Sequence, residues 1–206
     1  MAKGLTLYTN PMSRGRIARW MLEETGVDYD AHYLDYGPEM KAPEYLAINP
    51  MGKVPAIRHG EVVVTECAAI CAFLADAFPS AGLAPEPADR AAYYRWLFFA
   101  AGPMESVTVN KTLGFAAPAD KESMVGYGNY DLVLNTLETM LPKDGYLCGE
   151  RFTAADVYVS AQLGWGLFFE TIEKRAIFED YVGRTQDRDA HRRATALDDE
   201  AMPKER

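Results

Sequence analysis

The stretch Thr9–Gly26, TNPMSRGRIARWMLEETG, decides how the first part of the chain folds. Just ahead of it, LTLYT (Leu5–Thr9) alternates, with Leu5 and Leu7 on one face of a short strand. Inside it, Ile17, Trp20 and Met21 recur at helical spacing and Gly26 supplies a stop. Ser13 therefore stands where a strand has ended and a helix begins. Two roles are open to a hydroxyl there. Its oxygen can accept a hydrogen bond from an early helical N–H, a cap whose removal costs about 1 kcal/mol. Alternatively, its hydrogen can be donated to an anion, such as a thiolate, held at the positive end of the helix. Lowering a thiol pKa from about 8.5 by about two units takes roughly 2.7 kcal/mol of preferential anion stabilisation, which a hydroxyl and a helix end can supply.

Working outward, DAHYLDY (Asp30–Tyr36) reads as a second strand. Strand, helix and strand in sequence predict a right-handed parallel crossover. Gly37–Lys53 is loop-like, with a helical turn at APEYLAI (Ala42–Ile48). VPAIRHGEVVV (Val54–Val64) reads as a hairpin turning at His59-Gly60. ECAAICAFLADAF (Glu66–Phe78) is helical, with Ile70, Phe73, Leu74 and Phe78 on one face. The order is β-α-β followed by β-β-α.

Pro79, Gly82, Pro85 and Pro87 break FPSAGLAPEPADR (Phe78–Arg90) and divide the chain. The fold class expected is α/β plus all-α, with a first domain over 1–78, a linker over 79–88 and a helical domain over 89–206. In the helical part, ADRAAYYRWLFFAAG (Ala88–Gly102) should bend or end at Gly102-Pro103. Tyr130, Leu134, Leu137 and Leu141 form an apolar stripe, and TAADVYVSAQLGWGLFF (Thr153–Phe169) should be the central buried helix. Thr153 and Asp156 resemble a capping box, with an acid in place of the usual Glu or Gln. The charge-rich last twenty residues are expected to fray.

With 206 residues, 49% of them apolar, the chain can bury a substantial core, and its net charge of −9 disfavours general nucleic-acid or anionic-membrane binding. No apolar run is long enough to span a bilayer, and the start lacks the layout of a secretion signal, so a cytoplasmic location is expected. Three cysteines, Cys67, Cys71 and Cys148, do not make a disulfide framework, and with no His or further Cys beside the first two no metal is expected.

Other positions admit both plain and chemical readings. Pro55 after the strand-like Val54 makes a tight turn, or a bend that leaves the Val54 backbone free to pair with a peptide-like ligand. Glu66 is a favourable acid at a helix start, or a partner for a ligand ammonium. Lys41 and Lys53 are solvated lysines, or together a receiver for a carboxylate.

LYTNPMSRGRIARWMLEETG, MKAPEYLAINPMGKVPAI, VTECAAICAFLADAF and GERFTAADVYVSA together resemble the glutathione transferases, most closely the serine-type bacterial and plant members. The resemblance implies a thioredoxin-like first domain, a helical second domain and a homodimer. It implies that Ser13 contacts the glutathione sulfur, Val54 pairs with the cysteinyl backbone and Pro55 is the cis-proline. It further implies that Glu66 receives the γ-glutamyl ammonium, Cys67 lies at the γ-glutamyl carboxylate, and Lys41 and Lys53 approach the glycyl carboxylate. Thr153 and Asp156 match the family's folding cap. Where the family often has Glu-Ser, this chain has Glu66-Cys67, and a thiol is a poorer donor than a hydroxyl. Tyr8 competes with Ser13 for the sulfur, since some branches use tyrosine; a strand-end tyrosine is more often packing. The activity implied is conjugation of the glutathione thiolate to small apolar electrophiles, with Met12, Arg14 and Met104 as expected contacts and Phe99 better explained as core. A non-catalytic binding or regulatory module, and glutathione-dependent peroxide reduction, dehalogenation or isomerisation, are the alternatives.

Overall fold

A computed structural model of the protein describes residues 4–203. They form two compact units, one running to Leu83 and resuming at Asp187, the other Ala84–Gln186. The division falls within the expected linker, but the C-terminal stretch belongs to the first unit instead of the helical one.

The first unit is a four-stranded mixed sheet in the order β2-β1-β3-β4, from β1 (Leu5–Thr9), β2 (Asp30–Tyr33), β3 (Ala56–His59) and β4 (Val62–Thr65). β2 runs parallel to β1, while β1–β3 and β3–β4 are antiparallel, with Tyr8 opposite Ala56 and Leu7 opposite Ile57. Side chains alternate along β1. Leu5, Leu7 and Thr9 share the face packed by α1 (Gly15–Thr25) and α3 (Cys67–Ala77), with Leu7 and Thr9 fully buried. Tyr8 points the other way, into a small core with Leu34, Met40, Ala56 and Tyr45 of the short α2 (Pro43–Leu46). Gly26, at φ 68°, ends α1 as expected, its N–H donating to the Leu22 carbonyl.

Within the helical unit, α4 (Ala91–Phe99) does not stop at Gly102-Pro103. The backbone widens into one π-helical turn over Ala100–Met104 and continues as α5 (Glu105–Leu113). Proline lacks the N–H that an α-turn would need, and the wider turn absorbs the defect. α6 (Tyr130–Met140) buries Leu134 and Leu137 as its stripe predicts. α7 (Ala154–Phe168) is buried continuously from Ala154 to Leu163, and α8 (Ala176–Gln186) packs on it. Thr153 and Asp156 form the capping box: Asp156 Oδ2 accepts the Thr153 N–H at 2.9 Å. Its Oδ1 takes the Leu147 N–H and the Tyr181 hydroxyl, each at 2.9 Å. Burial pushes the Asp156 carboxyl up, against the pull of these bonds.

The expected fraying is corrected. Residues Asp189–Glu200 form α9, which lies along α1 in the first unit. Arg19 Nε donates to Asp198 Oδ1 at 2.8 Å with both side chains almost wholly buried. Arg188 meets Glu24 at 2.7 Å, Arg193 meets Glu23 at 3.0 Å and Arg16 meets Asp199 at 2.7 Å. The His191 ring meets the Trp20 edge with centroids 4.5 Å apart. Small buried Ala190 and Ala194 let the helices approach. Four of the tail's charges thus meet α1, while Asp187, Asp189 and Arg192 pair with one another in water.

Arg19 also donates to the hydroxyls of Tyr29 at 3.1 Å and Tyr33 at 2.9 Å. Burial raises the Asp198 carboxyl even against the pull of Arg19, so desolvation is the larger force on that group. Removing one partner of such a pair strands the other. Asp198→Ala should therefore cost about 3 kcal/mol in a urea titration. A loss below about 1 kcal/mol would make the pair no better than an exposed one.

Candidate functional site

Five residues, 10–14, bridge β1 and α1, and Asn10 organises them. Its Nδ2 donates to the Leu34 carbonyl at 2.9 Å, and its Oδ1 accepts the Met12 N–H at 2.9 Å. Its carbonyl takes two donors, the Ser13 N–H at 3.0 Å and the Ser13 hydroxyl at 2.7 Å. Ser13 Oγ in turn accepts the N–H of Gly15, the first residue of α1, at 2.9 Å. The capping role is therefore realised, and the hydroxyl hydrogen rests on an already occupied carbonyl.

Gly15 is held to a tight tolerance. A Cβ there would stand 1.9 Å from Thr9 Oγ1 and 3.0 Å from Ser13 Oγ. Only glycine lets the helix start come this close to the strand end.

The start of α3 lies beside this turn. The Cys67 thiol is buried and donates to the Arg14 carbonyl at 3.7 Å, which ties the two helix starts together. Glu66, just before α3, has φ 66° and ψ 116°, a left-handed conformation that costs a non-glycine residue about 1–3 kcal/mol. Its side chain is exposed, while its carbonyl accepts the Ile70 N–H at 2.9 Å.

The Val54–Pro55 peptide is cis and leads directly into β3. The Lys53 carbonyl before it takes the Tyr45 hydroxyl at 2.6 Å and Asn49 Nδ2 at 2.7 Å. Burial pushes the Tyr45 pKa up to about 12, so this hydroxyl stays a neutral donor. Lys41 Nζ donates to the Met51 and Gly52 carbonyls at 2.9 and 3.0 Å, and thereby braces the loop that carries the exposed Lys53.

The chain matches the family models for the glutathione S-transferase N-terminal domain over residues 12–77 and C-terminal domain over residues 96–181. It is 30% identical to glutathione S-transferase 1 of Schizosaccharomyces pombe, covering 73% of this chain and 69% of that one. It is 31% identical to glutathione S-transferase F10 of Arabidopsis thaliana, covering 74% and 76%. A crystal structure of a glutathione transferase homologue from Sulfitobacter, with bound glutathione, superposes with TM-score 0.76 at 26% identity, covering 98% of this chain and all of that one. The chain belongs to the glutathione S-transferase family. Its first unit has the thioredoxin-like fold of that family, and its second is the helical domain.

As a family member, the protein brings Ser13, Arg14 and Cys67 together at the paired starts of α1 and α3, with Glu66 adjoining them. Lys41 reaches the Lys53 loop, where its ammonium donates to the Met51 and Gly52 carbonyls. Tyr8, the other residue weighed for the sulfur, alternates with Leu7 and packs its ring 5.8 Å from that of Tyr45 and 5.4 Å from that of His32. Among the expected acceptor contacts, Met12 is exposed, Arg14 is half-buried and Met104 is buried in the helical unit. Phe99 packs edge-on against Trp96. Among the described residues there is no group of His, Cys, Asp or Glu that could hold a metal, and no helix is long and apolar enough to cross a membrane.

Thr9, Asn10 and Gly15 were not legible as site residues. A glycine inside a helical pattern was the available signal, since it marks close backbone approach. Ala for Gly at an ordinary helical position is stabilising by roughly 0.5–1 kcal/mol. Gly15→Ala should instead lower stability by about 1–3 kcal/mol in thermal melts, because the Cβ must displace Thr9. Thr9→Ala in the same chain should recover part of that loss.

Proposed function

We propose that the protein is a glutathione transferase that binds glutathione in its first unit and joins the thiolate to small apolar electrophiles. The observation that supports this is the state of the Ser13 hydroxyl. Its oxygen is fixed by the Gly15 N–H, while its hydrogen rests on an Asn10 carbonyl that keeps a second donor. Rotation about the Cβ–Oγ bond can turn that hydrogen toward a sulfur without stranding the carbonyl. The helix end adds its positive potential. Together these favour the thiolate, which attacks the electrophilic carbon; a carbon–sulfur bond forms and the leaving group departs with its electron pair. Ser13 donates throughout and is not itself the nucleophile.

The remaining contacts follow the family pattern. Val54 offers backbone groups to the cysteinyl portion, with Pro55 setting the bend. Glu66 receives the γ-glutamyl ammonium, and its positive φ turns the carboxylate outward. The Cys67 backbone and the α3 dipole take the γ-glutamyl carboxylate. Lys53 meets the glycyl carboxylate, with Lys41 holding its loop. The acceptor contacts Met12 and Arg14. The enzyme acts as a cytoplasmic homodimer.

Ser13→Ala tests the proposal directly. It should cost about 1 kcal/mol of stability through the lost cap. Turnover with glutathione and a panel of electrophiles should fall about a hundredfold below neutral pH, the effect of a thiol pKa about two units higher. Unchanged turnover with a lower melting point would return Ser13 to capping alone.

A non-catalytic binding module is the second reading, and the Cys67 thiol favours it, being a weak donor already turned to the Arg14 carbonyl. If that thiol weakens glutathione binding, Cys67→Ser should tighten it about fivefold by calorimetry, the worth of one ordinary hydrogen bond. Equal or weaker binding would remove this account.

A further inference from the structure

Thr9 is fully buried, and its Oγ1 has no hydrogen-bond partner among the described residues. A buried hydroxyl left unpaired costs roughly 1–3 kcal/mol, and valine would fill the same space without that cost. The hydroxyl lies on the α1 face of the sheet, against the start of the helix. It and Ser13 Oγ flank one point: both come within 3.0 Å of where a Cβ on Gly15 would stand. The glycine thus preserves the space between two hydroxyls, one fully bonded and the other not.

Counting partners shows what Thr9 can reach. A serine hydroxyl has one hydrogen and two lone pairs. The Ser13 hydrogen goes to the Asn10 carbonyl, and one lone pair takes the Gly15 N–H. The second lone pair has no donor, and Thr9 Oγ1 is an unused donor on the other side of the space that Gly15 leaves open, unbonded to Ser13 in this structure.

We propose that Thr9 is a positioning residue for Ser13: on glutathione binding its hydroxyl donates to the second lone pair of Ser13 Oγ, so that Ser13 is doubly accepted and gives its own hydrogen to the sulfur. This rests on the proposed role of Ser13 and adds a residue that acts through it. The sequence is Thr9 O–H to Ser13 Oγ, then Ser13 O–H to thiolate. Each donor polarises the next, which strengthens the bond at the sulfur end. No proton changes owner; the hydrogens only reorient. The Asn10 carbonyl retains the Ser13 N–H when the hydroxyl turns away.

The proposal separates two readouts that a merely structural threonine would move together. Thr9→Val removes the hydroxyl but keeps the shape, so its melting temperature should be unchanged or higher. Its glutathione-bound thiol should nevertheless ionise with a midpoint about half a pH unit above that of the native complex, by thiolate ultraviolet absorbance and by the pH profile of kcat/KM. Thr9→Ser, which keeps the hydroxyl, should restore the native midpoint even if it loses stability. A native complex whose thiol ionises as in free glutathione would overturn the proposed function, and Thr9's part with it. A native midpoint that is lowered, and lowered equally by Thr9→Val, would overturn the Thr9 proposal alone. So would a Thr9→Ser midpoint that follows the valine variant.

Discussion

The closeness of β1 and α1 at Gly15 is the constraint on which the site depends. With 1.9 Å between a hypothetical Cβ and Thr9 Oγ1, no other residue fits unless the Thr9 side chain gives way. That closeness puts the Gly15 N–H on Ser13 Oγ and the Ser13 N–H on Asn10. Asn10 then carries the restraint across to Leu34, at the end of β2. The hydroxyl is therefore placed by backbone geometry before any ligand arrives. Preorganisation of this kind spares the ligand the cost of ordering its own partner.

A helix end can hold a hydroxyl still only if the helix itself is still. α1 is fixed along its outer face by α9 and the residue before it, through the buried Arg19–Asp198 pair and three that are partly open to water. Two charges taken out of water are expensive, and here Tyr29 and Tyr33 fill further guanidinium donors. Rings at 5.9 and 5.4 Å add cation–π attraction. The last helix thus belongs energetically to the first unit, although it is encoded after the whole helical one.

Local pattern made much of this legible. The alternation of Leu5 and Leu7, the stop at Gly26 and the capping box at Thr153 depend on neighbours within a few residues, and each stands as read. What escaped was non-local. The partners of Asp198 and Arg188 lie more than 160 residues upstream, so the tail showed only charge. Charge without a visible partner reads as solvation. Pro103 marked the break in the α-helix, but that a π-turn would carry the chain through it was not written in the sequence. Lys41 could be matched to a role by position, but its two carbonyl partners come from a loop whose path the sequence does not state. The face of Tyr8 was readable, since strand parity sets it against Leu7.

Two residues here depart from what local structure would choose. Glu66 holds a positive φ where glycine or asparagine would be easier. Thr9 buries a hydroxyl where valine would be easier. Neither departure has a local compensation: the carbonyl of Glu66 serves α3, but its side chain stands exposed, and Thr9 Oγ1 bonds to nothing described. Both belong to the paired starts of α1 and α3, which the Cys67 thiol joins through the Arg14 carbonyl. Departures of each kind also occur elsewhere among the described residues, a positive φ at Glu170 and a buried unpaired oxygen at Asp198 Oδ2. At this turn one of each stands at the joined helix starts, the exposed Glu66 before α3 and the unpaired Thr9 hydroxyl against the first residue of α1.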